Sequence, residues 1–425
     1  MNLRWFLPLY GLLWHLGLPL ALVYLWWRGR KDPLYAQHLA ERFGRYSQRM
    51  ERSVWIHAVS LGEVRSAVPL IRALLARGER VVVTHFTPAG RRETERVLAP
   101  EIAAGQVAAV WVPFETSWAY AGFFKSFHPR AGLVMEVEHW PRMILAAHAH
   151  GIPLYPTNAQ YPLRSFTADR DRRRWRFQVI GRYAGAFVKS DLQAQRFRAT
   201  GLTQVEVTGE TRFDQPIPAA QVQAGLAARA WLGAQSVVTI ASAVEGEDAT
   251  YISAIKALRG DPATLFVYVP RRPERFAEVR EALVGAGLRV ASRSDLFDAN
   301  LSPQGAPLQI DVLLGDSLGE MYFYLSMADR AVVGGGFTDK GAHNIIEPLA
   351  LGKPVLTGPV TWPIEYPFAE AQAAGLARSV PDATALVNAL RHPQDPAPEA
   401  IAAFIAAHSG AAARTIAALD RLTSR

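Results

Sequence analysis

From Val54 onward the chain alternates short apolar runs with amphipathic stretches. "VWIHAV", "RVVVTHF", "VAAVWVP", "AGLVMEV", "IPLYPTNA", "GAFVKS" and "VEVTG" read as strands, and patterns such as "VRSAVPLIRALLARG" between them read as helices. Strands that are apolar throughout, rather than alternating with polar residues, predict a parallel sheet covered on both faces. "RFDQPIPAAQVQAGLAARAWLG" breaks the rhythm, and residues 214–232 are expected to link to a second domain. A second series follows, with "SVVTIAS", "TLFVYVP", "GLRVAS", "IDVLLGD", "RAVVGGG" and "KPVLTGP". The pattern therefore predicts two Rossmann-like α/β domains, residues 32–213 and 233–395, with a helical tail over 396–425. Their strand carboxyl ends are expected to face a cleft, where ligands bind in such folds.

The first segment obeys a different rule. Trp5 to Trp27 is apolar except for His15, with tryptophan at both ends. That is long enough to span a bilayer, and the aromatic ends suit its interfaces. The run ends in "WWRGRKDP" rather than at a small-residue cleavage site, so residues 1–31 read as a retained membrane anchor. Arg28, Arg30 and Lys31 would hold the following domains in the cytoplasm. Pro8 and Pro19 leave open whether the segment spans the bilayer or lies in its interface.

Charge agrees with a membrane. The net charge is +8, and residues 1–50 carry seven Lys or Arg against two Asp or Glu. An excess beside an apolar segment points to an anionic lipid surface rather than to nucleic acid. A length of 425 residues suits two cores better than one. With no cysteine, disulfides, thiolate nucleophiles and thiolate–zinc sites are excluded.

Polar residues gather just after the expected strands. Ser60-Leu61-Gly62-Glu63 sits where a strand turns into a helix. "MEVEHWP" sets Glu136 and Glu138 on one side of a strand end; "TNAQYPLRSF" and "GETRFD" follow later strands. In the second series, Arg271 and Arg272 could hold a phosphate or a sugar carboxylate. Asp316 and Glu320 flank a turn in "GDSLGEM", where ordinary helix capping would serve equally. "VGGGFTDKGAHNIIEPLALGKPVLTGP" offers Gly334, Gly335 and Gly336 for close backbone approach. A helix opening at "GAHNIIEPLA" would set His343, Asn344 and Glu347 on one face, with a carboxylate for ribose hydroxyls. Neither a phosphate-binding P-loop nor a GxGxxG fingerprint is present. No His/Asp spacing supports a metal site.

Taken in order, these stretches resemble the 3-deoxy-D-manno-octulosonic acid (Kdo) transferases of lipopolysaccharide synthesis. The residues carrying the resemblance are the anchor ending in "RGRK", "ERFGRY", "WIHAVSLGEV", "EVEHWP", "RSF", "VPRRPERF", "GDSLGEM" and "HNIIEPLALGKPVLTGP". The resemblance implies a GT-B glycosyltransferase at the cytoplasmic face of the inner membrane. It implies transfer of Kdo with inversion from CMP-Kdo to lipid A precursor (lipid IVA), without cofactor or metal. On this likeness Glu63 is the general base, and Glu138 and Asn158 lie on the acceptor side. Ser242, Arg271, Gly315, Asp316, Ser317, Gly335 and His343 bind the donor, and Asn344 and Glu347 hold its cytidine half. The chain departs from the family pattern at Gln160, Val244 and Ala342, where Arg, His and Gly are usual. These departures leave room for another CMP-activated acidic sugar, another acceptor, or a catalytically degenerate membrane-bound paralogue.

Overall fold

The computed structural model describes residues 3–260 and 264–423. It divides into two units: Met1–Gln215 with His408–Arg425, and Pro216–Ala407.

The first unit is built on β1 (Val54–His57), β2 (Val81–His85), β3 (Val107–Trp111), β4 (Ala131–Met135) and β5 (Leu154–Thr157). These pair in parallel in the order β3-β2-β1-β4-β5. Every residue in them is buried, which is why the runs are apolar without alternation. Two further strands, β6 (Ala186–Val188) and β7 (Val205–Val207), pair with each other, and a bridge from Ala159 to Val188 joins them to the end of β5. One face of the sheet packs Trp55, Tyr120, Phe123 and Phe127; the other packs Ile56, Leu70, Ile71 and Leu419. Gly132 is required by this packing, because a Cβ there would lie 2.2 Å from Leu154 Cδ2 and 3.0 Å from the Trp55 ring.

The second unit repeats the scheme with β8 (Ser236–Ala243), β9 (Thr264–Pro270), β10 (Val290–Ser292), β11 (Val312–Leu314), β12 (Arg330–Val333), β13 (Val355–Thr357) and β14 (Ala377–Ser379). Their order is β10-β11-β9-β8-β12-β13-β14, parallel throughout. In each unit the chain begins near the middle of the sheet, builds one side and then crosses to the other. The reversal lies between β1 and β4 in the first unit and between β8 and β12 in the second. A crevice opens at the strand ends of such a reversal, and ligands bind there.

Two stretches differ from expectation. Residues 214–232 hold more than a connection: helix Ala219–Leu232 packs along helix Met321–Met327 inside the second unit. Gly225 permits this, since a Cβ there would meet the Phe323 carbonyl oxygen at 2.3 Å. The tail is split between the units, and helix Ala411–Thr423 returns to the first, where Ala412, Ile416, Ala418 and Leu419 join the core.

Candidate active site

The first reversal gathers three carboxylates. Ser60 caps helix Leu61–Ala76, and Glu63 completes a capping box: its carboxylate accepts from the backbone N–H groups of Val59 (2.6 Å) and Ser60 (3.0 Å). At a strand-to-helix turn Glu63 could stand open to solvent. It is instead only 7 % exposed. Burial, then the charges of Glu138 and Glu136, push its pKa up to about 8, outweighing the two backbone hydrogen bonds that lower it.

Glu136 and Glu138 come from the loop after β4, not from one side of the strand, because Glu136 adopts a left-handed conformation (φ 57°) that ends it. Glu136 accepts from Arg212 (2.9 Å) and, at 3.4 Å, from the Ser66 hydroxyl; Arg212 also donates to Ser66 at 2.8 Å. Glu138 accepts from the Trp140 indole at 2.6 Å, and burial raises its pKa. The Trp140 ring in turn meets His57 edge-on at 5.1 Å between centroids. His57 is fully buried and held neutral, its pKa lowered to about 3.

Asn158 lies deeper. It is fully buried with φ 52°; its amide donates to Glu210 (2.8 Å) and its oxygen accepts from Thr211 N–H (2.9 Å). Lys189 completes a buried pair with Glu210 at 2.5 Å. Asn158 therefore ties the loop after β5 to the segment carrying Arg212. Arg212 and Ser66 were missed by sequence reading. An arginine in "GETRFD", just past a strand, was the available signal.

In the second unit the loops after β8 and β12 are clamped together by Glu247. This carboxylate is fully buried and accepts from the N–H groups of Val244 (3.0 Å), Gly335 (2.7 Å) and Phe337 (3.1 Å) and from the Tyr251 hydroxyl (3.1 Å). Ser242 takes a left-handed conformation (φ 61°) at the bulge that ends β8. A Cβ at Gly334 would lie 2.6 Å from the Ser242 carbonyl oxygen, and one at Gly336 would lie 2.5 Å from Gly358 N, so the loop passes too close for side chains. Gly335, at φ 95°, has no L-residue equivalent.

Beside this clamp, a cavity of 210 Å³ is lined by Val244, Glu245, Arg271, Arg272, Lys340 and His343, among others. It is strongly cationic. His343 is held neutral, its pKa lowered to about 4 by burial and then by Arg271 and Lys340. Its Nε2 is buried with no hydrogen-bond partner. A larger cavity of 610 Å³ opens at the opposite, amino-terminal edge of the same sheet, near Thr264, Arg289 and Asp311, away from these loops.

The remaining candidates are arranged differently from expectation. The helix near Glu347 is only Ile346–Ala350, so His343 and Asn344 precede it in irregular chain rather than sharing its face. Asn344 accepts from Ile346 N–H at 2.9 Å, and Glu347 stands near Tyr322, whose hydroxyl pKa it helps to raise. Asp316 caps helix Arg293–Leu296 through Ser294 N–H (3.0 Å) instead of capping the helix that follows it. Ser317 meets the Tyr324 hydroxyl at 2.5 Å, and Glu320 pairs with Arg293 at 2.8 Å. Gly315 packs where a Cβ would lie 2.9 Å from the Tyr324 ring. Among the described residues, no group of three or more His, Asp or Glu is placed to hold a metal ion.

Residues 37–215 match the family model for 3-deoxy-D-manno-octulosonic-acid transferase (kdotransferase). The chain is 40% identical to the 3-deoxy-D-manno-octulosonic acid transferase of Bordetella pertussis, over 95% of this chain and 96% of that one. It is 30% identical to the Haemophilus influenzae protein of the same name, over 81% and 80%. Among solved structures, a glycosyltransferase from Rickettsia africae superposes with a TM-score of 0.58 at 10% identity, covering 89% of this chain and 99% of that one, a likeness of fold alone. The fold is of the GT-B type. At 40% identity to the Bordetella pertussis protein over nearly its whole length, the chain belongs to the 3-deoxy-D-manno-octulosonic acid transferase family of glycosyltransferases.

Proposed function

We propose that this protein transfers Kdo from CMP-Kdo to a hydroxyl of lipid A precursor, with inversion, at the cytoplasmic face of the inner membrane. The observation that carries the reading is Glu63, a buried carboxylate at the first reversal whose pKa is raised to about 8. A base of that strength accepts a proton from an acceptor hydroxyl as the oxygen attacks the anomeric carbon, and the C–O bond to CMP breaks on the opposite face. Glu136 and Glu138 tune that base, Glu136 being itself held by Arg212 and Ser66. Glu138 faces the acceptor, and Asn158 positions the loops from within.

On the donor side, Arg271, Lys340 and the neutral His343 supply hydrogen bonds and charge to the departing phosphate and the sugar carboxylate. Ser242 and Gly335 shape the backbone around them. Asn344 and Glu347 take the cytidine half, Glu347 receiving the ribose hydroxyls, while Gly315, Asp316 and Ser317 border the donor. Val244 stands where the family pattern has His, yet it lines a cavity already rich in cations, which supports retention of an anionic donor. Residues 1–31 attach the enzyme to the membrane, where the acceptor resides.

The test is incubation of the purified protein with enzymatically generated CMP-Kdo and lipid A precursor, read by mass spectrometry. A product heavier by one or more Kdo residues supports the reading. CMP binding with no product on any acceptor favours the degenerate paralogue, and a product with a different CMP-activated acid places the departure in the donor.

A further inference from the structure

We infer that the N-terminal helix, Leu3–Gly29, does not cross the bilayer but lies in its interface, docked lengthwise on the first unit. The inference rests on the reading of membrane attachment and specifies its geometry. The helix is 27 residues long and apolar round most of its circumference, but its two sides differ in what covers them. Half-buried positions recur at Leu3, Phe6, Tyr10, Trp14, Ala21 and Arg28, with Leu25 buried outright, a helical stripe along its whole length.

That stripe is docked by specific contacts. Leu3 N–H donates to the Gln178 side chain at 3.1 Å, and the Phe6 ring stacks on Trp175 with centroids 3.7 Å apart. The Tyr10 hydroxyl donates to Glu115 at 2.9 Å. Gly11 lets the Arg142 guanidinium pass, since a Cβ there would lie 3.2 Å from it. At the far end Asp32, just past the helix, pairs with Arg92 of the first unit. Glu115 is the keystone: it is 2 % exposed and also accepts from Tyr120 and from the N–H groups of Arg142 and Met143.

The opposite face is apolar and open. Trp5 is 77% exposed, Leu16 66% and Leu20 73%, with Trp26 and Trp27 exposed at the end. Along a lone helix that spans the bilayer, charged protein groups at mid-depth are costly and rare. Here one face rests on Glu115, Arg142 and Gln178, and the exposed residues 170–174 beside Trp175 hold four arginines and Asp171, which pairs with Arg170 at 2.7 Å. Placing such groups at mid-bilayer costs about 2.5–3.5 kcal/mol each on insertion scales. An in-plane helix meets no such cost. Its open face enters the boundary between headgroups and acyl chains, its tryptophans sit at headgroup level, and Arg4, Arg30 and the arginines of residues 170–174 face anionic headgroups. The occupant of the apolar face is therefore the surface layer of an anionic leaflet.

The chain has no cysteine, so single labels are unambiguous. Arg4→Cys and Arg30→Cys variants, in sealed vesicles of each orientation, are to be treated with a membrane-impermeant maleimide, with detergent-opened vesicles as the full-labelling reference. Both sites should react from the same face. Reaction from opposite faces overturns the in-plane helix while leaving membrane attachment intact; recovery of the full chain in the soluble fraction without detergent overturns both. A Phe6→Cys/Trp175→Cys variant bridged in membranes by a short bis-maleimide provides the second reading. Bridging with attachment retained supports the docked helix, and failure to bridge contradicts it.

Discussion

At the scale of single residues, Glu63 has the most unusual surroundings of the three clustered carboxylates. A buried carboxylate with its pKa raised to about 8 is favoured by the fold in its protonated form. Its contribution to stability is thus complete below its ordinary value of 4.5 and is lost as pH rises through about 8. Glu63→Gln keeps an oxygen for the Val59 and Ser60 N–H groups and carries no charge. The variant should fold, and should gain on the native protein in thermal melts as pH moves from 5 to 9. Its turnover should fall by roughly 10²–10⁴-fold with CMP affinity unchanged; near-normal turnover would return Glu63 to a helix-capping role. The native kcat/KM should rise with pH through about 8, because the free enzyme needs the ionised base. Glu138→Gln removes a neighbouring charge that holds Glu63 protonated, so the rise should move to lower pH, and an unmoved profile would detach Glu138 from the base. On the donor side, Glu347→Ala should weaken CMP by roughly tenfold or more in calorimetry, the loss of a charged hydrogen bond being worth about 1.5–3 kcal/mol.

At the scale of elements, the strands were legible because burial on both faces leaves a one-dimensional mark, an unbroken apolar run. The place of Glu63 was legible too, because the apolar run gives way to a helical pattern just there. The environments of these residues were not. The raised pKa of Glu63 depends in part on Glu138 and Glu136 from the loop after β4, and Glu136 is held by Arg212, which is 76 residues away along the chain. The nucleotide-like face imagined for His343, Asn344 and Glu347 needed a longer helix than Ile346–Ala350. Glu247 was one acid among several in "ASAVEGED"; nothing local distinguishes a carboxylate that accepts N–H groups from a loop 88 residues away. That clamp is open to test. Glu247→Ala would leave the Val244, Gly335 and Phe337 donors buried without acceptors, at about 1–3 kcal/mol for each group left unpaired. The melting temperature should drop and CMP affinity should fall with it. Glu247→Gln, which offers one acceptor and adds two donors, should fall between native and alanine. Unchanged CMP binding in a folded Glu247→Ala variant would mean that the glycine loop holds its shape without the clamp.

At the scale of the whole molecule, the two-unit plan was readable from the repetition of strand series, and the N-terminal helix from its long apolar run. The interruption at "RFDQPIPAAQ" marked the crossing into the second unit, but the return at His408 left no mark, since an alanine-rich helix reads the same wherever it packs. The return is secured inside the first unit: Asp214 accepts from the N–H groups of Gly410 (2.5 Å) and Ala412 (2.7 Å), and Arg77 pairs with Asp420 at 2.8 Å. This closure bears on the order of events during synthesis. The ribosome releases the sheet of the first unit early, yet one face of its core stays open until Ile416 and Leu419 emerge. The second unit is complete in sequence by Ala407 and can fold while its host still waits. A chain stopped after Ser409 should therefore yield a cooperative second unit and a loosened first one, seen as fast hydrogen exchange across β1 and helix Leu61–Ala76. The scaffold of the carboxylate cluster is therefore firm only once helix Ala411–Thr423 has been made, and a nascent chain can carry a finished second unit beside an unfinished first one.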